Sequence, residues 1–208
     1  MRGPPKIPLG LEIVSARHMR AVFVALLVVH SLSASAFYIE LHGVVTEYFT
    51  GEPMKGVQVR MVKDGIERET VITKSNGEYE FVLDRGYVYL IWFYKDGWVT
   101  KHIRIDASGI PPIPDVPFYD MDVQVSMFEW VEGVDLGIFE EPLGLAEYVH
   151  SVRKLTWDIE YTELRRPKVA HVMERYERVV NVSGTRRRPK APASWPPATG
   201  GGAAGTIP

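Results

Sequence analysis

Two pairs of carboxylates stand at spacings that could support chemistry. In the first pair, Asp120 and Asp122 are separated by one residue in an alternating run, so a strand would direct both side chains to one face. Such an array could hold Ca²⁺, but the surrounding sequence has no EF-hand pattern and no bidentate Glu at the required spacing. A solvated strand face is the simpler interpretation, and calcium is the alternative.

The second pair, Asp158 and Glu160, would share a face in an extended segment. Two carboxylates act as general acid and base when an enclosing cleft raises the pKa of one of them. A hydrolase is therefore one candidate function, and ordinary surface charge is the alternative. Serine-elbow and phosphate-loop motifs are absent from the sequence, and the histidines form no His-x-x-x-His pair. We expect a protein that is not an enzyme and uses no metal ion or cofactor.

Aromatic residues accumulate on the later strands and just beyond them. Exposed aromatic rings could form a platform for a sugar ring or clasp a partner peptide, whereas buried rings would fill the core. The residues concerned are Trp92, Tyr94, Trp98 and Trp130.

Composition excludes several functional classes. The chain has 208 residues, no cysteine and a formal net charge of −2, so disulfides, cysteine-based zinc sites and iron–sulfur clusters are excluded. Residues 37–184 hold 16 basic and 25 acidic residues, a net charge of −9. Because an acidic body repels phosphate backbones, we expect no nucleic-acid partner.

The two ends of the chain differ from its body. Residues 1–36 resemble a secretory signal peptide, because basic residues precede an apolar run and small residues stand directly before the expected cleavage site between Ala36 and Phe37. An uncleaved membrane anchor is the alternative, and Met19 is an alternative start. Residues 185–208 are basic and rich in Pro, Gly and Ala, a composition that predicts disorder. No later segment has the length to span a membrane.

Residues 37–128 have the pattern of strands and turns that is typical of a β-sandwich. About seven short runs alternate between apolar and polar residues, and Gly, Asn, Asp and Pro turns separate them. In one run, Tyr79, Phe81 and Leu83 alternate with Glu78 and Glu80. Each such strand should bury one face and expose the other, so we expect an antiparallel sandwich.

A family resemblance lies in the turns and strands of this region. It is carried by residues 43–46 (GVVT), 50–59 (TGEPMKGVQV), 73–81 (TKSNGEYEF), 86–90 (GYVYL) and 95–98 (KDGW). Across residues 38–106 the sequence resembles the carboxypeptidase regulatory-like domain. The resemblance implies a seven-stranded prealbumin-like, or Ig-like, sandwich that serves secreted and envelope proteins as an accessory, spacer or ligand-binding module. From residue 118 onward the chain resembles exported proteins of Bacteroidetes-type bacteria.

Residues 129–184 should form an irregular extension that ends in a helix. Glycines and prolines interrupt the first part, and an apolar stripe at helical spacing predicts a helix over about residues 165–181, with Pro167 in its first turn. We expect this helix to dock on the sandwich of the same molecule.

These features predict an exported, non-catalytic accessory or structural module of the periplasm or cell surface. Its expected partner is an envelope protein or polysaccharide, bound through a sheet edge or through the aromatic residues around Trp98. A carbohydrate-binding domain is the first alternative. A hydrolase that uses Asp158 and Glu160 is the second.

Overall fold

The structure, a computed structural model, describes residues 37–183. The predicted signal peptide (1–36), the Ala36 side of its cleavage site, and the predicted basic tail (185–208) lie outside the described residues. Those three interpretations therefore stay predictions.

Ten strands, one 3-10 helix and one α-helix make up residues 37–183. The strands are β1 (Tyr38–Glu47), β2 (Gln58–Lys63), β3 (Ile66–Ile72), β4 (Glu78–Leu83), β5 (Val88–Tyr94), β6 (Lys101–Asp106), β7 (Phe118–Asp122), β8 (Val125–Met127), β9 (Leu145–Val149) and β10 (Lys154–Trp157). The 3-10 helix is Gly137–Glu140, and the α-helix, α1, is Ile159–Ser183.

The strands form two mixed sheets. In the four-stranded sheet, β1 lies between the antiparallel strand β4 and the successive strands β7 and β8, both parallel to it. The six-stranded sheet has the order β10-β9-β6-β5-β2-β3, and in it only β6 and β9 pair in parallel. The predicted mainly β fold with a C-terminal helix is confirmed, but the seven-stranded, purely antiparallel sandwich is wrong. Parallel pairs need long crossover connections, which local alternation does not reveal.

The core lies between the two sheets and follows the alternation of the strands. On β4, Tyr79, Phe81 and Leu83 are buried, while the residues between them are exposed. The fully buried side chains that meet them from the other strands include Ile39, Leu41, Val45, Val59, Ile91, Phe93, Ile105 and Met127. Burial of these apolar side chains stabilises the sandwich.

The run that the sequence presents as one strand, from residue 119 to residue 127, is divided into β7 and β8. At the division the chain bends in close against β1, and the Val123 carbonyl oxygen lies 1.9 Å from the position a Cβ would take at Gly43. The Val123 N–H donates to His42 O, and the Tyr79 hydroxyl donates to the Val123 carbonyl at 2.8 Å. Only glycine leaves room for this close approach.

Helix α1 begins six residues before its predicted start, so Pro167 lies inside it and not in its first turn. A proline at this position lacks the N–H that would bond to the carbonyl four residues earlier. The apolar side of the helix packs into a second hydrophobic cluster, in which Met173 and Tyr176 lie with Phe128, Phe139 and neighbouring residues. In residues 37–183 no helix is both long and apolar enough to span a membrane.

We expect Gly43→Ala to lower the free energy of unfolding by about 3 kcal/mol or more, because the new methyl group would collide with a backbone oxygen that cannot move independently. Chemical denaturation measures this change. Gly109→Ala is the matched control, since a Cβ there would meet only ordinary contacts, the nearest at 3.5 Å. Equal stability of the two variants would contradict this account of the close approach.

Candidate functional site

The outer face of the four-stranded sheet concentrates acidic side chains. Strand register places Glu40 opposite Asp120, and His42 between Glu80 and Asp122. On the same face, Glu78 lies beside Val44. The rings of Tyr38 and Phe118 also lie there and stack with their centres 5.5 Å apart. We call this surface, with Tyr38, Glu40, His42, Val44, Glu78, Glu80, Val82, Phe118, Asp120 and Asp122, the acidic face.

His42 is the basic group at the centre of the acidic face. Its Nε2 lies 2.7 Å from Asp120 Oδ1. The hydrogen bond to Asp120 raises the pKa of the imidazole, burial opposes this rise, and the charges of Asp120, Asp122 and Glu40 raise the pKa further. The carboxylates therefore hold a proton on His42 at a higher pH than a free histidine would.

A groove of about 550 Å³ runs along the acidic face towards the end of β3. Its walls include Glu40, His42, Glu78, Glu80 and Asp122. At the β3 side Val71, Ile72 and Lys74 close the groove. The groove is thus lined mainly by acidic groups, and one lysine and a short apolar wall stand at its β3 side.

The structure offers no support for calcium at Asp120 and Asp122. The two residues share a face as the alternation predicts, but Asp120 bonds to His42 and Asp122 accepts a hydrogen bond from Gln124 Nε2 at 2.6 Å. Within residues 37–183 there is no group of three or more His, Cys, Asp or Glu side chains placed to hold a metal ion.

The Asp158 and Glu160 pair does not form the shared face that the hydrolase hypothesis needs. β10 ends at Trp157, and the helix begins at Ile159, so Glu160 lies in the first helical turn. Asp158 Oδ1 accepts a hydrogen bond from the Tyr161 N–H at 2.8 Å, which is the geometry of a helix N-cap. The aspartate therefore has a structural role in starting α1.

The four aromatic residues of the predicted platform are all half-buried and divide between different surroundings. Trp92 stacks on His102 at 4.0 Å, and Trp98 packs against the main core. Trp130 packs into the second cluster, while Tyr94 lies beside Trp92 on the outer side of β5. Their role in binding stays a prediction.

Lys101 is a buried lysine that sequence reasoning missed. It is 5% exposed, and its ammonium lies 4.5 Å from the ring centre of Phe128 and 5.0 Å from that of Phe139. Its Nζ donates a hydrogen bond to the Ser126 carbonyl. Burial lowers the pKa of Lys101 to about 7. An amine with this pKa could act as a nucleophile, but the rings cover it and leave no access for a substrate.

His102, the next residue, points to the opposite side of β6. Burial and the positive charge of Arg165 lower its pKa to about 4, so the ring is neutral near pH 7. Its Nδ1 is buried and has no hydrogen-bond partner among residues 37–183. Its backbone carbonyl accepts from the Leu143 N–H at 2.7 Å.

A short segment, residues 137–143, covers this part of β6, and we call it the strap. Arg165 of α1 holds the strap by donating to the Ile138 carbonyl at 2.6 Å and pairing with the Glu141 carboxylate. Phe139 of the strap is one of the two rings over Lys101. One signal for Lys101 was present in the sequence, since it shares the strand parity of the apolar residues Ile103 and Ile105.

Comparison with known proteins finds weak structural likenesses only. No family model matches the chain, and no curated protein matches it. Similar solved structures include catechol 1,2-dioxygenase from an Acinetobacter species (13% identity over 50% of this chain and 56% of that one, TM-score 0.34). Others are 5-hydroxyisourate hydrolase from Klebsiella pneumoniae (14%, 44% and 88%, 0.30) and a DUF3823 family protein from Parabacteroides merdae (19%, 46% and 48%, 0.31).

The match spans little more than half of the dioxygenase's length. Two of these three proteins are enzymes, but likenesses of this weakness carry no argument about activity, and no catalytic function is established for the chain. The carboxypeptidase regulatory-like resemblance likewise stays an interpretation of the sequence.

We expect Asp158→Ala to lower the free energy of unfolding by about 1 kcal/mol, because the helix loses its N-cap hydrogen bond. Asp158→Ser should keep most of the stability, since serine is also a good N-cap residue. Thermal unfolding of both variants measures the difference. Equal loss in the serine variant would contradict the capping role.

We expect the protein to gain stability as the pH rises from about 7 to 9.5, because Lys101 has a pKa of about 7 when folded and an ordinary, higher pKa when unfolded. Across that range the unfolded chain binds the extra proton, so raising the pH favours the folded state by up to about 3 kcal/mol. Lys101→Met should remove this contribution, as measured by denaturation at each pH. Lys154→Met on the exposed surface is the control, and an unchanged pH dependence in Lys101→Met would refute the assignment.

Proposed function

We propose that this protein is a non-catalytic binding module that uses the acidic face to bind a basic segment of another polypeptide. The observation that carries the proposal is the register of β4, β1 and β7, which places Glu78, Glu80, Glu40, Asp120 and Asp122 around a single histidine. A partner with lysine or arginine side chains would match this surface in charge.

The energetic cost of the acidic face supports a role in binding. Like charges placed directly opposite each other on neighbouring strands are destabilising, and Glu40 stands opposite Asp120. The hydrogen bond between His42 and Asp120 offsets only part of this repulsion. A cationic partner would relieve the rest, so binding and folding would favour the same arrangement.

The shape of the surface favours a polypeptide over a small ion. The groove is open and about 550 Å³ in volume, and an apolar wall at Val71 and Ile72 stands beside the carboxylates. The stacked rings of Tyr38 and Phe118 add a second apolar contact at the other end of the same face. Interfaces between proteins are enriched in aromatic residues and arginine and have a polar, solvent-accessible rim.

The place where the protein acts is part of the proposal and comes from the sequence. Residues 1–36 resemble a signal peptide, so we place the module in the periplasm or at the cell surface. Its partner would be a basic segment of an envelope protein.

We expect the full chain to bind octalysine, a peptide of eight lysines, with an affinity that falls as salt is raised. A triple variant that neutralises the acidic face, Glu40→Gln with Glu80→Gln and Asp122→Asn, should bind at least about tenfold more weakly. Fluorescence anisotropy of labelled peptide measures both effects. Asp120 is left unchanged because it bonds to His42.

A matched control removes the same number of charges elsewhere. Glu69, Glu132 and Glu177 are exposed and lie on β3, in the loop after β8 and on α1, and their change to Gln should leave peptide affinity unaltered. Equal weakening in both triple variants would show that net charge alone attracts the peptide and would overturn the proposed site. Binding of glycans with tryptophan quenching, unaffected by either variant, would favour the carbohydrate alternative instead.

A further inference from the structure

β4 is an edge strand, and the direction of its backbone groups follows from one hydrogen bond. The Val45 N–H donates to the Gly77 carbonyl at 2.9 Å, just beyond the paired residues of β1 and β4. In an antiparallel ladder, hydrogen-bonded pairs recur at every second residue. The backbones of Tyr79, Phe81 and Leu83 therefore bond to β1, and those of the residues between them point away from it.

The outward-pointing residues of β4 are Glu78, Glu80 and Val82. The Glu78 N–H is taken by the side chain of Asn76, whose Oδ1 accepts it at 3.3 Å, as expected for a group that points away from β1. The outward N–H and C=O groups of Glu80 and Val82 have no partner strand within residues 37–183. Four strong hydrogen-bonding groups are thus presented at this edge.

The same three residues also place their side chains on the acidic face. Glu78 and Glu80 line the groove, and Val82 is 59% exposed. A strand added beside β4 would set alternate side chains directly against these three residues, because facing residues in a ladder lie side by side. Favourable facing residues would be basic, basic and apolar, each two positions from the next.

A second copy of this chain is a poor occupant of the edge. Two β4 strands paired edge to edge would bring Glu78 and Glu80 of one copy against the same acidic side chains of the other, and facing like charges are destabilising. Acidic residues on an edge strand thus exclude self-pairing while they attract a basic strand.

The edge strand β3 of the six-stranded sheet is built differently. Its register against β2 shifts between Met61 and Val62, and Glu67, Arg68 and Glu69 mix charges along it. Bulges and mixed charge are devices that discourage strand addition. Of these two edges, β4 is therefore the regular one with charge of a single sign.

We propose that the partner binds by strand addition at the β4 edge, as an extended segment with lysine or arginine at alternate positions. This inference rests on the proposed function, since it specifies how the basic segment is held. The backbone groups of Glu80 and Val82 supply the hydrogen bonds, and the carboxylates of Glu78 and Glu80 select the alternating charge.

The test compares two octapeptides of equal composition on the full chain. The alternating peptide repeats lysine-threonine along its length, and the block peptide places all its lysines before all its threonines. We expect the alternating peptide to bind about tenfold more tightly, because only its lysines all fall on one side of a strand. Hydrogen exchange should show new protection of the Glu80 and Val82 amides when the alternating peptide is bound.

A proline variant tests the backbone contribution directly. Val82→Pro removes an outward N–H without removing a bond to β1, and proline is tolerated on edge strands in this orientation. It should reduce the affinity for the alternating peptide to that for the block peptide. Thr70→Pro is the control on β3, where the Thr73 N–H to Val57 carbonyl bond shows by the same alternation that Thr70 also points outward. Thr70→Pro should leave the affinity unchanged.

The outcomes separate this inference from the proposed function. Equal affinity for both peptides, with no protection at Glu80 or Val82, would overturn strand addition while leaving a basic partner in place. Failure of both peptides to bind would overturn the proposed function as well. Protection of these amides without peptide, lost on changing Arg186, Arg187 and Arg188 to Gln, would assign the edge to the chain's own basic segment and overturn a separate partner.

Discussion

The four-stranded sheet depends on a single close approach, the passage of the Val123 carbonyl over Gly43. At this point β7 gives way to β8, and both pair with the same side of β1 in one register, so β1 lies at the centre of the sheet. The Tyr79 hydroxyl donates a hydrogen bond to the Val123 carbonyl from inside the sandwich. β4 and β7 pair with the two sides of β1, and this pairing places their carboxylates on either side of His42.

Two buried basic side chains determine the packing around β6, the strap and helix α1. Lys101 lies among aromatic rings and Arg165 is 8% exposed, yet each donates a hydrogen bond to a backbone carbonyl oxygen. Arg165 also pairs with Glu141, so the guanidinium joins helix α1 to the strap. The Glu141 side chain is exposed while that of Arg165 is buried, so removing the oxygens that Arg165 contacts would leave a buried positive charge, which is costly. The helix and the strap are thus coupled as one unit.

Sequence reasoning identified the alternation and the turns of strands within residues 37–128, because each depends on neighbours along the chain, but it placed β9 and β10 in an irregular extension. On β4 the alternation of Tyr79, Phe81 and Leu83 with acidic residues was readable directly. It did not identify the parallel pairing of β1 with β7, since residues about 80 positions apart must meet, as Thr46 and Ser126 do. The acidic face could therefore be predicted one strand at a time, but not as a surface.

The same limit explains the errors at the C-terminal side. Asp158 and Glu160 were interpreted as one face of an extended segment, although Asp158 is also a good N-cap residue, and the helix that it starts decided the matter. Lys101 was missed because lysine is rarely found at an inward position, even though its parity with Ile103 was visible. At Asp158 the spacing of an extended segment competed with the preference of aspartate for an N-cap. At Lys101 strand parity competed with the rarity of buried lysine. Tertiary packing decided both cases.

The order in which β1 acquires its partners has a consequence for synthesis. β4 follows β1 within about 35 residues, but the other side of β1 stays unpaired until residues 118–127 have been made. Because contacts so distant in sequence close slowly, we expect the nascent chain to pass through a stage in which β1 is paired with β4 and its other edge is open. During that interval the central strand of the mature sheet is itself an edge, with backbone groups open to pairing with another chain.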